Sequence, residues 1–515
     1  NNLQLHSTTS YDVLDRPTQI SWQDNTYQTL VYDITRDIQG TKRLRQMHID
    51  EAGHVRQQYT APQGWTTASI TPDGFATTFE YDALGQLLES TDPDSITTTH
   101  LYDAFGNRIQ RTHPDAGVTK WTYDLAGNIV TSATQQQISD NTYTEYEYVY
   151  DRLVSVVPLT NTELGITYKY DSTGRISKRT DITGTECFTY DPMGNVIQSN
   201  RLIAVPSEKQ AYNFVTRYKY DIFGRIREIH LPDDSSIEYL YSNGLLSQIR
   251  SRNQYAAEDV NKQSAVSYKY YINNIVYDEY DRPISYEQGN YVTTSTFSPD
   301  RLWLTSKTIQ NDNRVLNDMH FTYDAVGNIT FVEQNADTAH WLGGPYMPEF
   351  QYDVQDRLIR ADMLSEYWGL YSDYNLTYSP SGMVGLKSCE DMLWNYWYGY
   401  NAIDNKITNH QIRSVYDMDN DMTTFFMWDE AGRLEDIYRP CTGDLRHHWW
   451  NEAGQMTAMV DNGQCAFYGY DGNGERAYKL MGTAAINQYN AGQELFHMDL
   501  NDAVVYVNPY FTIST

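Results

Sequence analysis

The sequence has few cysteines, few basic residues and no long hydrophobic run. Four cysteines in 515 residues (Cys187, Cys389, Cys441 and Cys465) are too few and too scattered for a disulfide framework. Lys and Arg total 38 against 67 Asp and Glu, a formal net charge of -29. Such a surface repels phosphate backbones and argues against general nucleic-acid binding. No apolar run is long enough to span a bilayer as a helix. The first residues, NNLQLHSTTSYD, lack both an initiating Met and a basic-then-apolar signal pattern. The chain therefore reads as a fragment, or as the ordered part of a longer one.

Aromatic surface is plentiful: 45 Tyr, 15 Phe and 11 Trp, with only 20% charged residues and a mean hydropathy of -0.62. A disordered chain does not carry so many aromatics. Aromatic and β-branched residues favour strands, and 31 Gly with many Asn and Asp favour turns, so the composition predicts an all-β protein.

An internal repeat organises nearly the whole chain. Its unit is an aromatic residue, Asp, two variable residues and Gly, then a polar and an aliphatic residue. Copies are YDALGQL (Tyr81, Asp82, Gly85), YDAFGNRI (Tyr102, Asp103, Gly106) and YDLAGNIV (Tyr123, Asp124, Gly127). Further copies are YDSTGRI (Tyr170, Asp171, Gly174), YDPMGNV (Tyr190, Asp191, Gly194) and YDIFGRI (Tyr220, Asp221, Gly224). YDAVGNI (Tyr323, Asp324, Gly327) and WDEAGRL (Trp428, Asp429, Gly432) follow, then WNEAGQM from Trp450 and YDGNGER from Tyr470. Degenerate copies start at Tyr11, Ile49, Tyr241, Tyr280 and Tyr352.

The aromatic residue would end one strand, the Asp accept hydrogen bonds from turn N–H groups, and the Gly adopt positive φ. Intervening stretches such as ESTDPDSITTTHLYD predict a second strand reversal, so each unit of about 21 residues is one hairpin. A lone hairpin is marginal in water, and successive hairpins must pair edge to edge. The spacing alone leaves open a flat sheet, a propeller, a barrel or a curling strip. Inserts divide the chain into a repeat wall at 1–366, an aromatic-rich irregular repeat or insert at 367–408, and a continuation at 409–515.

The YDxxG core, with PDG and YxYD around it in ITPDGFATTFEYDALGQLLESTDPDSITTTHLYDAFGNRIQRTHPDAGVTKWTYDLAGNIV, resembles the bacterial Rhs/YD-repeat family over essentially the whole chain. The final DLNDAVVYVNPYFTIST is similar to Rhs proteins of Bacteroidetes-type bacteria. The resemblance implies a strip of hairpins spiralled into a large hollow cocoon-like shell. It implies a non-catalytic role: enclosing a C-terminal toxic domain, secreted or at the cell surface by a specialised secretion system, in competition between bacteria. An N-terminal plug or secretion-apparatus component and an immunity protein for the toxin are the further partners it implies. The pattern Pro-x-x-x-x-Asp-Pro-x-Gly-Leu that ends such shells, and the self-cleavage associated with it, has no match here. Three alternatives stay open for that core and the toxin enzyme: downstream in a full-length protein, removed, or never present. Teneurin-like adhesion and an enzyme acting on glycans or peptides are the alternatives.

No candidate chemistry survives the sequence reading. The repeated aspartates recur at one turn position and do not converge on a bond as a catalytic pair must. Asp417, Asp419 and Asp421 resemble the start of a calcium loop, but Met422 and Trp428 stand where Gly and Glu are required. His447 and His448 are adjacent on a predicted strand and face opposite sides, so they cannot chelate one ion together. The turn holding Gly472 and Gly474 lacks a nucleotide-loop pattern. The expectation is therefore no catalytic residue, no cofactor and no metal. The acid excess would attract a basic cargo if it faced inward.

Overall fold

The computed structural model describes residues 7–206, 211–253, 267–312, 314–335, 347–365, 370–389, 392–401, 406–485, 497–508 and 511–514. Among them are 42 β-strands, one short α-helix at Gln135–Ser139 and one 3-10 turn at Thr162–Leu164. Strands run from 4 to 12 residues, and the chain folds as an antiparallel meander. Ala76–Tyr81 pairs with Leu87–Thr91, which pairs with Thr97–Tyr102; Arg108–His113 pairs with Gly117–Tyr123, which pairs with Ile129–Ala133. No helix among the described residues is long and apolar enough to cross a membrane.

The hairpin turn explains why the repeat folds this way. In Asp103–Asn107, the Asp103 carboxylate accepts the N–H groups of Phe105 and Asn107, both at 2.9 Å. The Gly106 N–H donates to the Asp103 carbonyl, and the Asp103 N–H donates to the Asn107 carbonyl. Gly106 has φ 88°, a left-handed conformation that costs L-residues energy but not glycine. The pairing shifts by one residue at the aromatic position, as between Thr122 and Tyr123, the signature of a tight turn followed by a glycine bulge.

Where glycine is missing, Asp takes the strained position: Asp15, Asp281 and Asp356 have φ of 57°, 59° and 65°. Short polar side chains tolerate that region through local hydrogen bonds. Asp281 corrects one repeat boundary. The degenerate copy expected to start at Tyr280 starts at Tyr277, because Asp278 accepts the N–H groups of Tyr280 and Arg282 as the turn Asp does elsewhere.

Because strands alternate in direction, the turns fall into two rows. The Tyr-Asp turns lie along one rim of the strip, here the YD rim; turns such as Thr71–Gly74 and Asp92–Ser95 lie along the opposite counter rim. The copy IDEAGHV, counted in sequence with the Tyr-Asp turns, belongs by strand order to the counter rim. Strands Leu370–Tyr378, Val384–Cys389 and Met392–Asn401 continue the meander through the aromatic-rich stretch. Residues 366–369, 390–391 and 402–405 of that stretch lie outside the described residues.

The chain divides into two compact units, one of residues 1–99 with 272–421, the other of 100–271 with 422–515. In the second unit, Ile203, Val205 and Phe214 bury against Ala477, Leu480 and Val505. In the first, buried residues such as Ala68, Ile96 and Ala361 are scattered, and no such cluster forms among the described residues.

Candidate functional site: the rims of the hairpin strip

Many turns are stapled to the next along the YD rim. The hydroxyl of a repeat tyrosine donates to a backbone carbonyl at the start of the preceding return strand: Tyr123 to Arg108, Tyr190 to Ile176, Tyr220 to Val196 and Tyr323 to Leu304, at 2.7–2.9 Å. Trp450 makes the same bond with its indole N–H, to Leu434. The residue after Gly completes the staple. Arg175 pairs with its own Asp171, donates to the Asp191 carbonyl of the next turn, and lies 4.5 Å from the centre of the Tyr190 ring. Arg225, Arg282, Arg357 and Arg433 likewise pair with their own turn aspartates and reach the next turn's backbone.

Turn contacts hold several of these carboxylates ionised. Asp103, Asp124 and Asp191 lie below the usual carboxylate range, chiefly through the side-chain amides of Asn107, Asn128 and Asn195. Asp171 is held well below it, first by the Thr173 hydroxyl and then by the Arg175 N–H. Carboxylates so occupied are structural acceptors rather than bases.

Within each unit the YD rim of the later segment seats on the counter rim of the earlier one. In the first unit, Arg56 meets Asp356 at 2.8 Å, Gln355 donates to Asp73 at 2.6 Å and Ser379 to Asp94 at 2.9 Å. In the second, the Gly472 N–H donates to Asp181 at 2.8 Å, Ser139 bonds Glu430 and Thr160 bonds Glu452. These bridges join residues 282 to 300 apart in both units. Gly432 is needed twice over: its φ is 79°, and a Cβ there would lie 2.3 Å from the Asp115 carbonyl oxygen.

A buried arginine clasps the rims in each unit. Arg301 bonds Glu51 at 2.7 Å, approaches Asp24 at 3.5 Å, and has the Trp22 and Trp303 rings 4.5 and 4.7 Å away. Burial pushes the Glu51 carboxyl up, but Arg301, its own N–H and Gln28 outweigh it and hold the group low. Arg179 bonds Glu186 at 2.8 Å and Asp471 at 3.0 Å, and Arg201 reaches Asp471 at 3.1 Å.

The remaining candidates are all engaged structurally. Asp417 accepts from Asp419 and Asn420, Asp419 accepts the Leu393 N–H, and Asp421 accepts the Tyr416 hydroxyl. His447 lies 2.6 Å from Asp436 and edge-on to Trp449; His448 lies 3.3 Å from the Glu435 carbonyl, and burial holds it below the usual imidazole range. All four cysteines are free, and burial pushes the Cys465 thiol up, away from a reactive thiolate. Among the described residues, no group of three or more His, Cys, Asp or Glu could hold a metal ion.

The arginine after Gly was a signal within reach of sequence, since Gly-Arg recurs after Tyr-Asp. The clasps were not, because nothing local marks Arg301 or Arg179 apart from other arginines.

Fold and rims define a class: an all-β repeat protein whose polar chemistry is used in turns, staples and rim contacts. The RHS Repeat family model matches residues 50–97, 81–118 and 102–137. No curated protein matches it. Among solved structures, the crystal structure of TcdB2-TccC3 matches with a TM-score of 0.71 at 15% identity, covering 97% of this chain and 27% of that chain. The crystal structure of TcdB2-TccC3-Cdc42 gives 0.74 at 16%, covering 99% and 27%. The Photorhabdus luminescens Tc holotoxin pore gives 0.64 at 14%, covering 98% and 29%. This likeness is one of fold alone. The chain spans roughly a quarter of the length of the chains it matches.

Proposed function

We propose that this chain is non-catalytic wall from a bacterial toxin shell, secreted, that encloses a C-terminal toxic domain until delivery. The observation that carries this reading is the rim contact. Within each unit a later segment of the strip seats on the opposite rim of a segment 282 to 300 residues before it. Paired backbone groups and carboxylates occupied within their own turns support a container over an enzyme. The fold likeness to the TcdB2-TccC3 structures supports a toxin setting.

In this reading the Tyr-Asp turns from Tyr81 to Gly432 are structural throughout. The divisions 1–366, 367–408 and 409–515 reflect repeat regularity within one wall. A plug, an export apparatus and an immunity protein belong to the same proposal.

Intact mass spectrometry of the native particle, denatured after purification from its source, tests the reading. Expected is a second peptide of different sequence, retained with the wall until denaturation. A single wall species with no retained peptide would overturn enclosure of cargo.

A further inference from the structure

The rim contact of the first unit is built unevenly along its length. At one end stands the Arg301 clasp, its side chain 6% exposed and that of Glu51 3%, with the Trp22 and Trp303 rings against the guanidinium. Away from the clasp the contacts are polar and reach solvent. Arg56 and Asp356 pair with side chains 48% and 33% exposed. Gln355 and Arg357 lie 2.6 and 3.6 Å from Asp73, Ser379 2.9 Å from Asp94, and His410 2.8 Å from Asp92. Beside these lies a cleft of about 580 Å³ lined by Thr71, Thr77, Gln355, Ser381, Met383 and His410. No apolar cluster backs this stretch among the described residues.

The two ends therefore part at very different cost. A solvated polar contact exchanges its partner for water, and exposed ion pairs are weak for the same reason. Pulling Arg301 from Glu51 would instead leave a buried charge without its partner. The strands beside the polar stretch keep their own ladders. Ala76–Tyr81 pairs with Leu87–Thr91, and Met347–Tyr352 with Leu358–Ser365, each within its own segment rather than across the rims. In the second unit Ile203 and Phe214 bury against Leu480 and Val505, so separation there would expose apolar surface.

We propose that the rim contact of the first unit is a gate: its polar stretch, from Arg56 to His410, parts while the hairpins on both sides stay folded, and the Arg301 clasp is the hinge. Local openings draw on the least stable contacts of a fold. Asp73 and Asp94 are the catches. Asp94 accepts from the Ser379 and Ser381 hydroxyls across the rims, and Asp73 from the Gln355 amide. Their own turns are capped by other residues, Thr71 accepting the Phe75 N–H and Asp92 those of Asp94 and Ile96. Removing the catches thus leaves both turns intact. What the gate would admit or release rests on the enclosure reading above; the opening itself does not.

Spin-label distances in the whole chain test this, with Cys187→Ser and Cys441→Ser removing the thiols that are not buried. One label pair, Phe75→Cys with Val354→Cys, flanks the Asp73–Gln355 bond at exposed side chains. A second, Ala52→Cys with Ala325→Cys, flanks the clasp. With the catches present, both pairs should give one short distance. With Asp73→Ala and Asp94→Ala, the first distance should lengthen by at least about 10 Å, two strand spacings. The second should stay short, and amide-exchange protection of the strands should be unchanged. A first pair that stays short overturns the gate. Strand protection lost together with the opening overturns it in favour of a joint that unfolds with the hairpins. Lengthening of both pairs overturns the Arg301 hinge.

Discussion

Arg301 in the first unit and Arg179 in the second do the same work in different settings. Arg301 lies between two tryptophan rings with Glu51 as its closest carboxylate, and the unit around it has no apolar cluster among the described residues. Arg179 is surrounded by carboxylates, and farther along the same rims Ile203, Phe214, Leu480 and Val505 bury together. Rims of the same hairpin strip can thus be held together by polar clasps alone or by clasps with a core. Hairpin formation and rim closure are separable problems, solved by different residues.

Breaking the first clasp should have the largest effect. Arg301→Ala leaves the Glu51 carboxylate buried without its cation, with Gln28 still donating to it, at a cost of about 3–5 kcal/mol. With no apolar cluster behind it, residues 1–99 should lose amide-exchange protection first. Uniform loss across both units would contradict the comparison.

In the second unit Leu480→Ala should cost about 2–5 kcal/mol in chemical denaturation, because Leu480 is buried within the cluster. The Arg179 clasp should keep the rims at Asp181 and Gly472 protected. If those amides exchange as fast as the ones beside Leu480, the core rather than the clasp closes this unit.

Gly106→Val and Gly327→Val sharpen the comparison by testing what the units share. Both glycines have positive φ, 88° and 103°, and each change should cost about 1–3 kcal/mol. Losses in melting temperature should match; an unchanged melt in either would contradict its turn geometry.

Acid should act least selectively. Turn carboxylates in both units, Asp278 in the first and Asp103, Asp124 and Asp191 in the second, titrate below their ordinary value. Their contribution is therefore fully present above the unfolded value of about 4 and is lost as pH falls through the lower folded values. Melting temperature should hold from pH 7 to about 5 and decline below about 4 in both units. A decline centred near pH 6 would point instead to His448 and His100, which burial holds below the usual imidazole range and which the unfolded chain would protonate first.

The hairpin was legible in the sequence because its causes are local. Tyr-Asp-x-x-Gly states within five residues which group caps the turn and which takes positive φ, and the copies from Tyr81 to Tyr123 fix the period. Legibility failed where the local signal thinned. At Tyr277–Arg282 the aspartate replacing glycine shifted the apparent start of the repeat. At Ile49–Val55 a turn with the right residues falls on the other rim, because strand parity, not turn chemistry, decides the row.

The sequence by itself determined the strands, the turns and their serial order, since each depends on neighbours within about 20 residues. Only the tertiary structure decided that Asp181 meets Gly472, that Arg301 meets Glu51, and that one stretch of rim is seated while another exposes Phe105 and Leu125. Those pairings, 291 and 250 residues apart, depend on how the twist of many strands accumulates between them. A small change per strand moves the meeting point by a whole repeat, and no local motif records that sum.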